Sequence, residues 1–214
     1  NIFDDVKVFT EKSLDKDFLN KHGEFINNNK RGYGYWICKS YFVKKTLDTL
    51  QDGDILVYAD AGCSLVNTPT SIKRLQQYIT LCSRLESANL SFQMCFSEKA
   101  YTKMDLFYKL DVVNDTMLNS GQLVGGIFVL RKCPKTCDLI NKYYELSQEY
   151  HLIDDTPSII PNDPEFIDHR HDQSLFSLLR KKYGTISIPD ETWYPNFRDP
   201  QVLNYPILAT RIRI

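Results

Sequence analysis

The sequence predicts an α/β fold: one domain with a mostly parallel central sheet flanked by helices. Three observations carry this. Short apolar runs of strand length alternate with longer runs of helical periodicity. The chain is 214 residues with 43% hydrophobic residues, enough to bury a core in a single domain. Around the strand-like run at 54–59, Asp52-Gly53-Asp54 suits a turn feeding a strand and Gly62 lets the backbone bend sharply after it.

The strand candidates are DVKVFT (5–10), DILVYA (54–59), LSFQMCF (90–96) and LVGGIFVL (123–130). Between them, Trp36 to Leu50 places Val43, Leu47 and Leu50 on one face, and Ser71 to Ser87 places Leu75, Ile79 and Cys82 on one face. A third helix is expected from Pro134 to Gln148, with proline at its first position, and a fourth from Asp172 to Tyr183, where Arg180, Lys181 and Lys182 precede Gly184. IDDTPSIIPNDPEF (153–166) reads as a long loop that borders a site or closes over one. The stretch from Trp193 onward reads as irregular but packed.

The 26 basic and 27 acidic side chains leave a formal charge of -1, so nothing draws the chain to nucleic acid or to an anionic membrane. No apolar run approaches the ~20 residues of a membrane span, and Asn1-Ile2-Phe3-Asp4-Asp5 lacks the basic and apolar regions of a signal peptide. A cytoplasmic location is the expectation. Cys38, Cys63, Cys82, Cys95, Cys133 and Cys137 are scattered among apolar neighbours, a pattern of free thiols in a reducing compartment.

Two acidic spots flank the strand at 54–59. Ligands of open α/β sheets gather at the carboxyl ends of strands, and Asp52 and Asp54 stand at the start whereas Asp60 stands at the end, roughly 20 Å away. Asp52-Gly53-Asp54 therefore reads as a turn despite its DxD spelling. Asp60, followed by the flexible Gly62, is either a ligand for a hard cation such as Mg²⁺ or Mn²⁺ or a cap of the next turn.

Three further clusters carry polar or aromatic density. DHRHDQSLF (168–176) sets His169, His171, Asp172 and Gln173 before a helix, where they serve ligand binding or simply cap and solvate it. NSGQLVGGIFVL (119–130) holds Gly125-Gly126 inside a strand, a mark of close approach or of a bulge. NNNKRGYGYWICKS (27–40) brings Tyr33, Tyr35 and Trp36 ahead of a helix carrying Lys39, as core or as sugar-stacking rings. Hydrolase, kinase and P-loop motifs are lacking.

GYGYWICKSYFVKKTL (32–47), GDILVYADAG (53–62), NSGQLVGGIFVLRK (119–132) and HRHDQSLFSLL (169–179), in that order, resemble the GT-A type nucleotide-sugar glycosyltransferases, chlorella-virus and bacterial members included. The resemblance implies a Rossmann-like GT-A domain over 1–214, whole or as part of a longer multidomain protein. It implies transfer of a sugar from a UDP-sugar donor to a glycan acceptor hydroxyl, with Mn²⁺ or Mg²⁺ and with retention of configuration. For a viral member the location would be the host cytoplasm. Position by position, Asp60 matches the first acid of the family's DxD motif, and Gly62 stands where many members have the second. The metal set implied is Asp60, the backbone at Gly62, and His171. Donor binding falls on Phe9, Thr10, Tyr35, Trp36, Lys39, Tyr58, Ala59, Asp60, Asn119, Ser120, Gly121, Gln122, His169 and His171, and catalysis on Asp60, Asp172 and Gln173. The rival is a non-catalytic nucleotide-sugar or glycan binding module on the same fold.

Overall fold

A computed structural model describes residues 2–211. A four-stranded sheet has the order β1 (Ile55–Ala59), β4 (Gly121–Arg131), β3 (Asn89–Ser97), β5 (Ile186–Pro189), and a small pair joins β2 (Ser64–Leu65) to β6 (Ile207–Leu208). β4 runs antiparallel to both neighbours, with Leu56 opposite Leu130 and Leu90 opposite Val129, while β3 and β5 are parallel. The sheet is thus mixed, correcting the expectation of a mostly parallel one. β1, β3 and β5 still point the same way, so their carboxyl ends share one edge.

The helices are α1 (Lys16–Asn28), the one-turn α2 (Gly32–Tyr35), α3 (Ile37–Thr49), α4 (Pro69–Arg84), the short α5 (Glu98–Tyr101), α6 (Met104–Lys109) and α7 (Asp115–Asn119), α8 (Pro134–Ser147) and α9 (His171–Tyr183). Side-chain alternation along β4 divides the core into two layers. Phe128 and Leu130 face α3, α8 and α9 in one cluster that holds Leu47, Ile140 and Phe176. Ile127 and Val129 face α4 in the other, with Leu75, Tyr78 and Cys82. No helix among the described residues is long and apolar enough to cross a membrane.

Local chemistry explains the boundaries. Pro69 opens α4 behind a capping box of Thr68 and Ser71, two residues earlier than apolar spacing alone places it. The turn before β1 is closed by the Asp54 carboxylate accepting the Gln51 N–H at 2.8 Å, with Gly53 at φ +97°. Asp52-Gly53-Asp54 is therefore a turn, as read from its position. Residues 5–10 are not a strand: Phe9 stacks on Phe42 at 4.6 Å, and Thr10 caps the 3₁₀ turn Glu11–Ser13. All six cysteines are unpaired, and burial pushes Cys38 and Cys63 up to about 11 and Cys82 to about 12, so these three stay as inert thiols at neutral pH.

The long loop is fastened down. Asp105 accepts the N–H groups of Ile159 and Ile160 at 2.8 Å each, and buried Lys103 donates to His151 O at 2.8 Å and reaches Asp154 at 3.1 Å. His169 pins its far end: Nδ1 accepts the Lys103 N–H at 3.2 Å, and Nε2–H donates to Leu152 O at 3.0 Å. Burial pushes His169 down to about 3, so it is neutral when folded but takes a proton near pH 6.5 when unfolded. Below pH 6.5 the unfolded chain binds the extra proton, so stability falls with pH at up to about 1.4 kcal/mol per unit until the folded pKa is passed. By pH 5 the expected loss is about 2 kcal/mol. Urea denaturation of His169→Gln, which can place an acceptor and a donor similarly, should show a shallower slope between pH 6.5 and 5.

Candidate functional site at the carboxyl edge of the sheet

β1 ends by delivering Asp60 to the carboxyl edge, where its N–H donates to Gly126 O at 2.8 Å across the seam with β4. The carboxylate is held at a defined angle. Tyr58 OH donates to Oδ1 at 2.8 Å, and Oδ2 lies only 2.6 Å from where a Cβ on Gly126 would sit. Burial, then the Asp60 charge, keeps the Tyr58 phenol protonated, well above its ordinary value. The Asp60 side chain remains 41% exposed, so it is aimed but available.

Beneath it sits a buried ion cluster. Lys39, 6% exposed on α3, reaches Asp172 Oδ2 at 2.7 Å and Asp60 Oδ1 at 3.4 Å, and donates to Gly125 O at 3.4 Å. Burial pulls the ammonium down, but Asp172 and Asp60 more than restore it, so Lys39 stays charged and above its ordinary value. Burial lifts the Asp172 carboxyl above its usual range while Lys39 draws it back. Tyr143 OH, from α8, reaches the same Asp172 oxygen at 3.5 Å.

A polar row continues along the edge. Gln173 Oε1 accepts the Gly125 N–H at 3.0 Å, and its amide donates to Gln122 Oε1 at 2.8 Å. Gln122 in turn donates to Thr102 Oγ1 at 3.1 Å and Ser174 Oγ at 3.2 Å, which orients its amide. Gly125 has no room for a side chain because Gln173 Cβ is 2.7 Å from the site of the missing Cβ. The glycine pair in the strand therefore marks close approach, by the side chains of Asp60 and Gln173.

On the flank, Gly32 to Trp36 all have φ between +53° and +78°, a left-handed turn with bonds from Tyr35 N to Arg31 O and Trp36 N to Gly32 O at 2.8 Å each. Tyr35 stacks flat on His171 at 4.9 Å and Trp36 tilts against it at 5.5 Å. His171, itself at φ +53°, bonds Asp155 at 2.8 Å, so the long loop borders the site at this point.

Asp60, Tyr58, Lys39, Asp172, Gln173 and Gln122 thus converge, with Tyr35, Trp36 and His171 at the side. Ala59 is exposed on the strand just ahead of Asp60. The other sequence-derived positions are engaged elsewhere. Phe9 and Thr10 serve the core and a turn, and Asn119 and Ser120 bond back to Asp115 O and Met117 O at the end of α7. Gly121 accepts from Lys181, and His169 holds the loop. Lys39 is an internal counter-ion and does not present its ammonium to a donor. Sequence reading passed over Tyr143 and the fully buried Glu98, which Lys181 pairs at 2.7 Å, and counted Arg170 in the 168–176 cluster without giving it a role. A cleft of about 340 Å³ beside α4 is a different place, where Arg74 is spent on Glu191 through Nε at 2.8 Å.

For a divalent cation the donors fit one mode. Among the described residues no group of three or more His, Cys, Asp and Glu is arranged to hold a metal. His171 is committed to Asp155, and Gly62 O accepts from Thr210 Oγ1 at 3.1 Å. What fits is a cation held by the single Asp60 carboxylate and completed by ligand and water oxygens, as Mg²⁺ accepts with phosphate ligands.

Gly126→Ala tests how tightly Asp60 is aimed. The new methyl would displace Oδ2, and the exposed carboxylate can swing outward, so stability should fall by no more than ~1 kcal/mol while, if Asp60 holds a divalent cation, affinity for Mn²⁺ falls about tenfold. Parallel thermal melts and titration calorimetry check the split.

Comparison of the chain with protein-family models, with curated proteins and with solved structures gives no match.

Proposed function

We propose that the chain is a GT-A type glycosyltransferase domain that moves a sugar from a UDP-sugar donor to a glycan acceptor hydroxyl, using Mn²⁺ or Mg²⁺ at Asp60. The observation that carries this reading is the Asp60 carboxylate itself: aimed by Tyr58 and Gly126, open to solvent, and placed where ligands of such sheets bind. A bound divalent cation would offset the charge that grows on the leaving diphosphate.

The chain's own groups define the rest. Lys39 balances Asp60 and Asp172 from below, so the edge stays ordered before any ligand arrives. Gln173, fixed by Gly125 and Gln122, offers an oriented amide to sugar hydroxyls. Asp172 is buried and paired with Lys39, which removes it as the free carboxylate that an inverting attack requires. This supports retention, with the leaving phosphate taking the acceptor's proton. The lone carboxylate is also what a non-catalytic nucleotide-sugar or glycan binding module on the same fold would have.

Incubation with a panel of UDP-sugars and Mn²⁺, with and without glycan acceptors, separates the two. Release of UDP that depends on added metal is expected. Saturable binding of a UDP-sugar with no turnover across the panel assigns the module instead, and no binding of any member sinks both readings.

A further inference from the structure

We propose that Arg170 is the anion-recognising residue of this edge, holding charged oxygens of the ligand, either phosphate or carboxylate, in its guanidinium fork. The proposal rests on the transferase reading for its ligand class but on separate residues for its geometry.

Arg170 sits at the start of α9, three residues before the end of the Asp172–Gln173 pair's polar row, and its guanidinium carbon lies 3.7 Å from the Tyr101 ring centre and 4.7 Å from that of Phe96. Those faces fix the plane of the fork without using its N–H groups. The bonds made by the fork are few and long: Gln122 Oε1 at 3.5 Å and Met94 Sδ at 3.8 Å. No carboxylate among the described residues lies within salt-bridge distance of it. Asp168, two residues away, reaches toward Arg31 at 3.9 Å. The contrast with other arginines is chemical: Arg74 and Arg31 are paired with carboxylates, and buried Arg180 donates to Val124 O, Ser91 Oγ and Phe176 O.

A half-buried guanidinium whose acceptors among the described residues are these two long contacts gives up part of its hydration while most of its five donors stay unspent. Burial lowers its proton affinity from the ordinary value. The Gln122 oxygen that it approaches is the same atom that receives the Gln173 amide, so the fork opens onto the row that continues to Gly125, Gly126 and Asp60. Gln122 and Gly126 stand four residues apart on β4, roughly 13 Å. A ligand with its metal-bound oxygens at Asp60 would therefore bring a carboxylate on its sugar to Arg170, whereas a diphosphate held by Arg170 would place its oxygens away from Asp60. An arginine suits both, because it meets two oxygens of one group at once.

The experiment is calorimetric titration of the full chain, its Arg170→Gln form and its Arg170→Lys form with UDP, UDP-glucose and UDP-glucuronic acid in Mn²⁺, and separately with inorganic pyrophosphate and with glucuronate. Arg170→Gln should weaken the recognised ligand about 10- to 100-fold, and Arg170→Lys by an intermediate factor because charge remains while the fork is lost. Equal losses for UDP, UDP-glucose, UDP-glucuronic acid and pyrophosphate assign the diphosphate. Losses confined to UDP-glucuronic acid and glucuronate assign a sugar carboxylate. Should Arg170→Gln fail to fold in a thermal melt, Arg170→Lys carries the comparison. Pyrophosphate or glucuronate binding that depends on Arg170, without binding of any UDP compound, upholds the anion site and removes the transferase reading. Affinities within twofold of the parent for every ligand in the folded variants, or no binding of any anion by the parent, overturns the proposal.

Discussion

Lys39→Met is expected to cost about 3–5 kcal/mol of folding stability, the largest effect of any single substitution at this edge. The residue is buried, and its ammonium is the near partner of the Asp172 carboxylate at 2.7 Å, which is itself buried on α9. Methionine fills a similar volume but leaves Asp172 without a counter-ion, and a lone buried carboxylate is far costlier than the pair. The remaining contact of Asp172, Tyr143 OH at 3.5 Å, is too long to compensate. Asp172 would escape by taking a proton. In the variant its folded pKa therefore lies further above the unfolded value, and the folded state holds the extra proton. Stability gained that way is present at low pH and lost as pH rises through the folded pKa, so the deficit against the parent should be greatest at neutral pH and shrink toward pH 4. Urea titrations at pH 7 and pH 4.5 measure it. The double variant Lys39→Met/Asp172→Asn removes both charges and should recover most of the loss. A single-variant cost under ~1 kcal/mol at pH 7 would show that the cluster is not a buried ion pair.

That buried pair also marks where sequence reading stopped. A lysine near the start of a helix, with aromatic neighbours, reads as a surface group facing a ligand, because lysine is almost never buried unless paired. The partner that buries it arrives on α9, far along the chain, and no local pattern announces it. Glu98 with Lys181, and Tyr143 with Asp172, are hidden for the same reason. By contrast, features set by local chemistry were legible. The carboxyl-end position of Asp60 follows from the polarity of a single strand, the Asp52-Gly53-Asp54 turn from its residue types, and the crowding at Gly125 and Gly126 from glycines in a strand.

The fold divides along the same line. α3, α4, α8 and α9 have enough turns for apolar periodicity to show, and all four lie within two residues of where that periodicity begins. α5, α6 and α7 have between four and six residues each, less than two turns, so no period forms. β5 has four residues, alternately half-buried and exposed, and stays below the signal of the longer strands. α1 could have been found, since Phe18, His22 and Ile26 recur every four residues behind the Asp15 cap. Direction was the other blind spot. Helices and strands in alternation suggest parallel strands, but the connection from β3 to β4 passes through three short helices and returns along the neighbouring strand.

On the proposed transferase reading, Asp60→Asn should reduce metal-dependent UDP-sugar turnover by about 100- to 1,000-fold, the range found when one electrostatic group is removed from developing charge. The substitution is chosen because asparagine has the same shape and can still accept from Tyr58 OH, so the loss reports charge and not collapse of the seam with β4. Stability should change little, because Lys39 keeps its closer partner, Asp172, when the 3.4 Å contact with Asp60 is neutralised. The prediction therefore separates chemistry from folding, which Lys39→Met does not. Asp52→Ala and Asp54→Ala serve as controls: they carry the textual DxD but lie at the other end of β1, and turnover should stay within twofold of the parent in both, with Asp54→Ala losing at most ~1 kcal/mol for its turn bond to Gln51. Steady-state release of UDP at several Mn²⁺ concentrations distinguishes the possible failures. If Asp60→Asn turns over as fast as the parent at every metal concentration, the carboxylate is a turn residue after all. If the control at Asp52 loses as much as Asp60→Asn, strand polarity is the wrong guide to this site.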